Sequence, residues 1–416
     1  MTPEVRERIE QIRHGNVPDE YKKTKDGILP VDWTVRTIDE CLERVECPVD
    51  VQADEMYTQI GIRSHGKGLF HKEPVTGESL GNKAVYWIEP DCFVLNIVFA
   101  WEQAIGKTTQ AEAGMIGSHR FPMYRPIDGK VDIDYLISYL LTKRGKDILE
   151  AASPGGAGRN RTLGQDRFMK SKIVLPSPNE QKKIAEILTT QDKVIELKEK
   201  RLAEKQRQKR YLMQQLLTGK KHLPGFEGEW LHVRANTLFK NVTNKNHDGT
   251  LEVLSATQDK GIIPRSQVDI DIKYAEESLS GYKKVEKGNF VISLRSFQGG
   301  IEYSEYTGIV SPAYTVLAAI YPIEDNYYRQ FLKSPDYIGR LNVAVYGIRD
   351  GKQISYEDFG RIKVPYPPLE EQKAVAEVLS TADCEIEILT RDLEQEKQKK
   401  KALMQLLLTG IVRVNA

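Results

Sequence analysis

The sequence predicts an α+β protein in which two globular α/β domains are separated by two long antiparallel coiled-coil helices, related by pseudo-twofold, circular symmetry. The first observation is a long helical segment that occurs twice with one constant offset, because Glu180 recurs as Glu371 and Gly219 as Gly410 (371 − 180 = 191). The second is the heptad spacing of its apolar residues, which is typical of a coiled coil. The third is the mixture of short β-like runs and turns between the copies.

The two long helices are defined by their apolar residues and by their ends. Prolines precede each helix, and each closes with Thr-Gly, where glycine supplies a left-handed C-cap. Neither helix has a companion in its own copy, so we expect the two to pack against each other as rods of about 57 Å. Six apolar residues at seven-residue spacing form the predicted packing seam: Leu188, Ile195, Leu202, Leu379, Ile386 and Leu393.

The segments between the helices are predicted to be globular and to share one fold. Strand candidates rich in β-branched and aromatic residues lie at 85–88, 93–97, 290–294 and 313–317. Residues 8–15 resemble the last turns of the repeated helix, which makes the duplication circularly offset. The predicted organisation is a helical arm that completes the bundle, a first domain, a first spacer helix, a second domain and a second spacer helix: 1–27, 28–174, 175–222, 223–363 and 364–416.

Composition bounds the class of protein. The 416 residues fit two to three domains at about 150 residues each. With 60 basic and 59 acidic residues the net charge is +1, so any nucleic-acid surface must be local. Four cysteines without C-x-x-C spacing argue against a zinc site or a disulfide framework. With no long apolar run in the sequence, we expect a cytoplasmic protein that does not enter a membrane.

The sequence contains no motif that indicates a catalytic site. Lys107 and Thr108 follow Gly106 as in a phosphate-binding loop, but Trp101 stands where that loop needs its first glycine. The seven histidines lie apart, so no metal-binding motif is formed. Aspartates at 132 and 134, and at 269 and 271, alternate with apolar residues, which predicts the solvent face of a strand. We therefore expect a non-catalytic chain without a metal or cofactor of its own.

Polar and basic loops are the better functional signal. Arg and Lys contact guanine edges and phosphates, while Asn and Gln pair bidentately with adenine. Loops of this kind recur near residues 64 and 257, and again before the phenylalanines at 168 and 359. The residues predicted to contact DNA are Arg63, Ser64, Lys67, Arg159, Asn160, Arg161, Thr257, Gln258, Lys260, Arg295, Ser296, Gln298, Arg349, Lys352 and Gln353.

These features together resemble the specificity subunit of type I restriction-modification systems. The resemblance is carried by two P-x-x-x-E-Q-K-x-[IV]-A-E-[IV]-L segments that continue into L-M-Q-x-L-L-T-G, and it covers nearly the whole chain. Tryptophan entries at Trp33 and Trp230 support it, as do the stretches at 93–101 and 308–314. The resemblance implies that the two globular domains are target-recognition domains.

The resemblance also implies partners and cofactors. Each domain would read one half of a bipartite sequence in double-stranded DNA, and the helices would act as spacer and docking surface for two methyltransferase subunits. Those subunits would bind S-adenosylmethionine and methylate a flipped adenine. Two restriction and translocase subunits would use ATP and Mg. The alternative is a coiled-coil adaptor that bridges protein partners without reading DNA, and a steep salt dependence of DNA binding would exclude it.

Overall fold

A computed structural model describes the chain except for residues 1–2, 26, 82, 156–160, 269–275, 345–353 and 415–416. The chain divides into two compact units. Unit 1 comprises Met1–Leu197 with Leu393–Ala416, and unit 2 comprises Lys198–Asp392. Each unit therefore contains one part of each long helix.

The described residues form helices in both units. The α-helices are α1 (Pro3–Arg13), α2 (Gly77–Leu80), α3 (Ile133–Leu140), α4 (Lys143–Ala152), α5 (Gln165–Met169), α6 (Pro178–Leu216), α7 (Ala235–Leu238), α8 (Ser296–Gly299), α9 (Asp325–Phe331), α10 (Pro335–Ala344), α11 (Tyr356–Arg361) and α12 (Leu369–Leu407). Short 3-10 helices span Ile38–Glu40, Ala100–Glu102, Gln110–Glu112, Arg265–Gln267 and Glu276–Gly281.

The strands are short in both units. In unit 1 they are β1 (Tyr21–Thr24), β2 (Gly27–Pro30), β3 (Thr34–Thr37), β4 (Leu42–Val45), β5 (Met56–Tyr57), β6 (Ile60–Ile62), β7 (Leu69–His71), β8 (Val75–Thr76), β9 (Val85–Trp87), β10 (Phe93–Leu95), β11 (Ile105–Lys107), β12 (Ile116–Ser118), β13 (Met123–Pro126) and β14 (Lys172–Leu175). In unit 2 they are β15 (Leu231–Arg234), β16 (Phe239–Val242), β17 (Leu254–Thr257), β18 (Gly261–Pro264), β19 (Lys283–Val285), β20 (Phe290–Ile292), β21 (Glu302–Tyr303), β22 (Gly308–Val310), β23 (Thr315–Ala319) and β24 (Lys363–Tyr366).

The two units repeat one sheet topology. The four-stranded sheet β11-β10-β13-β4 of unit 1 corresponds to β21-β20-β23-β16 of unit 2, and both are antiparallel. The pairs β9–β12, β6–β7 and β3–β14 correspond to β19–β22, β17–β18 and β15–β24. The α+β prediction is confirmed, and the four strand candidates contain β9, β10, β20 and most of β23.

Aromatic side chains fill equivalent places in the two cores. Phe93 stacks on Phe168 in unit 1 with ring centroids 6.1 Å apart. In unit 2 Phe239 packs edge-on against both Phe290 and Phe359, at 5.5 and 6.0 Å. All of these rings are fully buried. Phe93 and Phe290 lie in the equivalent strands β10 and β20, and each belongs to the aromatic core of its unit.

The long helices α6 and α12 contain 39 residues each and pair in antiparallel fashion within each unit. In unit 1 Gln191 Nε2 donates to Glu396 Oε2 at 2.7 Å, and Lys400 pairs with Asp192. In unit 2 Lys198 Nζ lies 2.7 Å from Asp392 Oδ2. Of the predicted seam, Leu188, Leu379 and Leu393 are buried, and Ile195, Leu202 and Ile386 are half-buried.

A glycine in the left-handed region lies three residues beyond the end of each long helix, in the predicted Thr-Gly sequence. Gly219 has φ +69° and Gly410 has φ +71°. An L side chain rarely adopts this backbone conformation, so glycine is the residue that closes the helix at low cost.

A buried glutamate at the start of each long helix joins distant parts of its unit. In unit 1 the side chain of Glu180 is 2% exposed and accepts from Trp33 Nε1 at 3.1 Å. Arg413 donates to Glu180 through Nε at 2.7 Å, and also pairs with Asp32. The carboxylate is thus paired and hydrogen-bonded, as a buried charge requires. We call this set, Asp32, Trp33, Glu180 and Arg413, the unit 1 clasp.

Unit 2 contains an equivalent tryptophan–glutamate contact, with a histidine in place of the arginine. Glu371 accepts from Trp230 Nε1 at 2.8 Å, and its other oxygen lies 2.8 Å from His222 Nδ1. His222 occupies the position that corresponds to Arg413 at the offset of the repeat (413 − 191 = 222). One histidine therefore replaces one arginine at an equivalent buried carboxylate.

The glutamine that follows each buried glutamate holds the start of another helix. Gln181 accepts from the backbone N–H of Asp132 at 2.9 Å, just before α3. Gln372 accepts from the backbone N–H of Glu324 at 2.9 Å, just before α9. The repeated Glu-Gln pair is therefore explained by buried contacts inside each unit.

The strand predicted around Asp132 and Asp134 is wrong. Asp132 is the N-cap of α3, and its carboxylate accepts from the backbone N–H of Tyr135 at 2.9 Å. Asp134 lies in the first turn of that helix and pairs with Lys107 at 2.9 Å. An N-cap aspartate satisfies a free helix N–H, which alternation alone does not reveal. Residues 269–271 lie outside the described residues.

Removing the cation of the unit 1 clasp should destabilise the fold. Arg413→Ala leaves the Glu180 carboxylate buried without its cation. We expect a loss of about 2 kcal/mol, below the roughly 3 to 5 kcal/mol of a fully buried pair because the Arg413 side chain is partly exposed. Urea unfolding followed by circular dichroism measures the loss. Arg391→Ala, which breaks the exposed pair with Glu387, is the control and should change stability by less than about 0.5 kcal/mol.

The effect should also depend on pH. The hydrogen bond from Arg413 holds the pKa of Asp32 below its usual value. The contribution of Asp32 is therefore present above its unfolded-state pKa and is lost as the pH falls through its folded-state pKa. The difference between the wild type and Arg413→Ala should shrink in acid. An unchanged difference, or an equal loss in the control, would contradict the role given to the clasp.

Candidate nucleic-acid interface

The turn between β17 and β18 presents predicted contact residues at the surface of unit 2. Gly261 closes it with φ +76°, and Thr257 Oγ1 donates to the Gly261 carbonyl at 2.9 Å. The backbone N–H of Lys260 donates to Thr257 Oγ1 at 3.1 Å. Thr257 therefore shapes the turn, while the side chains of Gln258 and Lys260 are exposed.

The segment around α8 presents two more predicted residues. Arg295 is the N-cap of the helix and Gln298 lies within it, and both are exposed. Ser296 is 1% exposed, and its Oγ accepts from the backbone N–H of Ser293 at 2.9 Å. The hydroxyl of Ser296 thus serves the turn that holds Arg295 and Gln298 outward.

The fold brings these two segments together. A Cβ on Gly299 would lie 2.9 Å from Cγ of Gln258, so Gln258 packs directly on α8. Lys333 Nζ holds the β17–β18 turn in place. It donates to the Gln258 carbonyl and to Glu302 Oε2, each at 2.6 Å. Glu302 is 3% exposed, and burial raises its pKa while Lys333 acts in the opposite direction. Two loops that lie about 40 residues apart in sequence form one polar surface.

Two cations that sequence reasoning missed, Arg265 and Lys283, lie near Tyr314 together with the predicted Arg295. Burial raises the pKa of Tyr314, while the positive charges of the two arginines act to lower it. Lys283 Nζ donates to the Tyr314 carbonyl at 2.5 Å. Burial and the nearby charge of Lys245 lower the pKa of Lys283. The available sequence signal was Tyr314, the last residue of the 308–314 stretch, but the cations near it are dispersed in sequence.

The equivalent hairpin of unit 1 connects β6 and β7. Gly68 has φ +72° there, matching Gly261. Arg63 Nη1 donates to the Leu69 carbonyl at 2.7 Å, and its guanidinium lies 4.7 Å from the centroid of the Phe70 ring. Ser64 Oγ donates to Glu102 at 2.8 Å. Both side chains therefore contact the hairpin or its neighbour, and Arg63 is exposed, as is Lys67.

The remaining predicted residues are only partly described. The guanidinium of Arg161 lies 5.3 Å from the centroid of the Trp101 ring, and the side chain is half-buried. Five predicted residues lie outside the described part of the chain: Arg159, Asn160, Arg349, Lys352 and Gln353.

Two searches of the described residues bear on other classes of site. No group of three or more His, Cys, Asp or Glu side chains is arranged to hold a metal ion within the described part of the chain. None of the helices among the described residues is both long enough and apolar enough to span a membrane.

Comparison with known proteins gives one consistent family. A sequence model described as the type I restriction modification DNA specificity domain matches residues 30–205 and 228–397. The chain is 26% identical over 436 residues to a putative type I restriction enzyme MjaX specificity subunit of Methanocaldococcus jannaschii, across 95% of this chain and 97% of that protein.

Solved structures share the fold. The HsdS subunit from Thermoanaerobacter tengcongensis is 18% identical with a TM-score of 0.50, across 92% of this chain and 98% of that one. The S subunit of a type I restriction-modification system from M. genitalium is 14% identical with a TM-score of 0.56, across 94% of this chain and 98% of that one.

Loss of the Lys333 ammonium should loosen the turn that carries Gln258. In Lys333→Met the Glu302 carboxyl stays buried without its cation, and the Gln258 carbonyl loses its donor. We expect faster amide hydrogen exchange at 257–261 and a loss of stability of about 3 kcal/mol. Lys260→Met is the control, since it removes an exposed ammonium from the same turn. Unchanged exchange in Lys333→Met, or equal acceleration in both variants, would show that Lys333 does not hold the turn.

Proposed function

The chain belongs to the type I restriction-modification DNA specificity family, and from this premise we propose that each of its two domains reads one half of a bipartite DNA sequence. The observation that carries the proposal is the repetition of one sheet topology in both units with different polar side chains on the equivalent hairpins. Two domains with the same fold but different surface side chains suit a protein that reads two different half-sites. The chain itself would perform no chemistry.

In unit 2 we assign base reading to the surface formed by Gln258, Arg295 and Gln298. Arginine can donate two hydrogen bonds to guanine, and glutamine can donate and accept with adenine. These three side chains are exposed and lie on two adjoining segments. Lys67 and Arg161 are the corresponding candidates among the described residues of unit 1. Contacts to phosphate would fix the register, because they carry no sequence information themselves.

The long helices would provide docking surfaces for two methyltransferase subunits. Leu197 on α6 is 65% exposed and Ile388 on α12 is 55% exposed. They stand at equivalent positions of the repeat (388 − 197 = 191). An exposed aliphatic residue repeated at the same helical position suits two copies of one partner, one on each helix. Exposed large apolar side chains are enriched at such interfaces when they form part of a patch.

The cofactors in this proposal belong to the partners. The methyltransferase subunits would bind S-adenosylmethionine and act on an adenine flipped out of the duplex, which requires them to be held close to each half-site. Two restriction and translocase subunits would supply the ATP- and Mg-dependent steps. The complex would act in the cytoplasm.

The proposal is tested by sequencing adenine methylation in the source strain and in a strain that lacks this gene alone. We expect one bipartite motif, with two specific halves and a fixed gap, to lose its methylation. An unchanged methylation pattern in a strain where the gene and its neighbours are expressed would reject the reading role.

Changes at the unit 2 surface should affect one half of the target only. Arg295→Ala and Gln298→Ala should each weaken or relax recognition by about 1 to 3 kcal/mol, the range for one bidentate base contact. Methylation sequencing of strains that carry each variant reports the motif. Lys67→Ala is the matched control, and it should affect the other half or neither. Equal changes in both halves from Arg295→Ala would show a structural effect instead.

The length of the paired helices should set the gap between the half-sites. Removing one heptad from the middle of both helices, at 196–202 and 388–394, shortens them by about 10 Å. This length corresponds to about three base pairs of duplex. We expect a shorter gap or loss of methylation, and inserting one heptad at the same places should lengthen the gap. An unchanged gap in an active lengthened variant would reject the spacer role.

A further inference from the structure

Unit 1 contains a cleft of about 890 Å³ between α1, β2, the α3–α4 corner and the last turns of α12. Its residues come from segments far apart in sequence, including Ile28, Tyr139, Lys143 and Met404. None of the lining residues was assigned above to base reading, although His65 lies in the unit 1 hairpin that carries Lys67. The cleft therefore needs a separate explanation.

The floor of the cleft is apolar and is continued by the N-terminal helix. Ile12, Leu408 and Ile411 line it together with Met404. The helix α1 has no buried residue, and its Ile9 and Ile12 are half-exposed on one face. The arm is held at the end of α12, because Arg8 Nη1 donates to the Ile411 carbonyl at 3.3 Å. Because apolar side chains lie on both walls of the cleft, an apolar surface of another molecule placed between them would cover both.

The rim of the cleft is basic. Lys143 and Arg144 stand in the first turn of α4, where the helix dipole favours acidic residues instead. Three lysines of α12 also line the cleft: Lys397, Lys400 and Lys401. Lys400 pairs with Asp192, and Asp147 is the carboxylate among the lining residues. The chain as a whole has a net charge of only +1, so this is a local excess of positive charge.

At the equivalent place in unit 2 the long helix keeps basic residues, Lys209 and Arg210, and Lys220 lines the cleft, but the corner does not repeat the positive charge. Met213, Gln214 and Thr218 line a cleft there, and they correspond to Met404, Gln405 and Thr409 at the repeat offset. That cleft measures about 360 Å³. Its corner carries Asp336, whose carboxylate pairs with Arg340 at 2.7 Å. The same corner is thus basic in unit 1 and neutralised in unit 2.

We infer that the unit 1 cleft receives an acidic, amphipathic helix of a protein partner. The apolar face of that helix would cover Ile12, Met404 and Leu408, and its carboxylates would face Lys143 and Lys401. A nucleic-acid backbone matches the rim but offers nothing apolar to the floor, whereas a helix laid in a groove satisfies both. The inference rests on the proposed function only in that the chain works within a complex.

Site-specific crosslinking identifies the occupant directly. A benzoylphenylalanine at Gln405, an exposed residue of the lining, is activated in the complex purified from the source strain. Mass spectrometry should find it joined to a partner segment with apolar residues at helical spacing and carboxylates on the opposite edge. A crosslink to DNA, to a segment without that pattern, or to this chain alone in the assembled complex would overturn the inference.

Charge reversal supplies the second measurement. We expect Lys143→Glu with Lys401→Glu to reduce the crosslink at least tenfold. An acidic residue in the first turn of α4 favours the helix, so the loss cannot be assigned to unfolding of α4. Arg210→Glu is the matched control, because Arg210 corresponds to Lys401 at the repeat offset (401 − 191 = 210), and it should leave the crosslink unchanged.

The DNA affinity of the isolated chain, measured with the methylated motif, separates this inference from the proposed function. We expect the double variant to keep that affinity while it loses the crosslink. An unchanged crosslink in the double variant would overturn the inference even if DNA reading stands, and loss of DNA affinity with the crosslink intact would show that the cleft holds DNA.

Discussion

The buried carboxylate at the start of each long helix is the interaction on which each unit depends. Glu180 and Glu371 are almost fully withdrawn from water, and a carboxylate in that position destabilises the fold unless it is paired and hydrogen-bonded. A tryptophan N–H donates to each of them, and Arg413 in unit 1 or His222 in unit 2 provides the second contact. These partners come from the beginning of the domain and from the end of the other repeat, so the domain ends, the helix start and a helix end are fixed together.

This arrangement explains why the surfaces can differ while the framework repeats. The strand that follows each clasp tryptophan pairs with the strand that precedes each long helix, β3 with β14 and β15 with β24. The hairpins and α8 project from a body whose ends are already held. Their side chains can change without disturbing the clasp: Arg63 donates to the Leu69 carbonyl of its own hairpin, whereas Gln258 of the equivalent hairpin packs on α8.

The two units nevertheless differ where charge is concerned. The contact to the buried glutamate comes from the guanidinium of Arg413 in unit 1 and from the imidazole of His222 in unit 2. The corner beside the long helix carries Lys143 and Arg144 in unit 1 and the paired Asp336 in unit 2. The duplication therefore preserves the apolar framework and varies the charges, which makes unequal partner contacts on the two units a natural consequence.

The sequence by itself determined the duplication, the two long helices with their Thr-Gly ends, and the strands around Phe93 and Phe290. Each of these features follows from the periodicity or the local propensity of consecutive residues. The tertiary structure alone decided what the Glu-Gln pair does, since Trp33 and Glu180 meet only after the chain has folded. It also decided that Gln258 lies on Gly299, and that Arg265 and Lys283 gather near Tyr314. Such contacts join residues from separate loops, and no local pattern encodes which loops will meet.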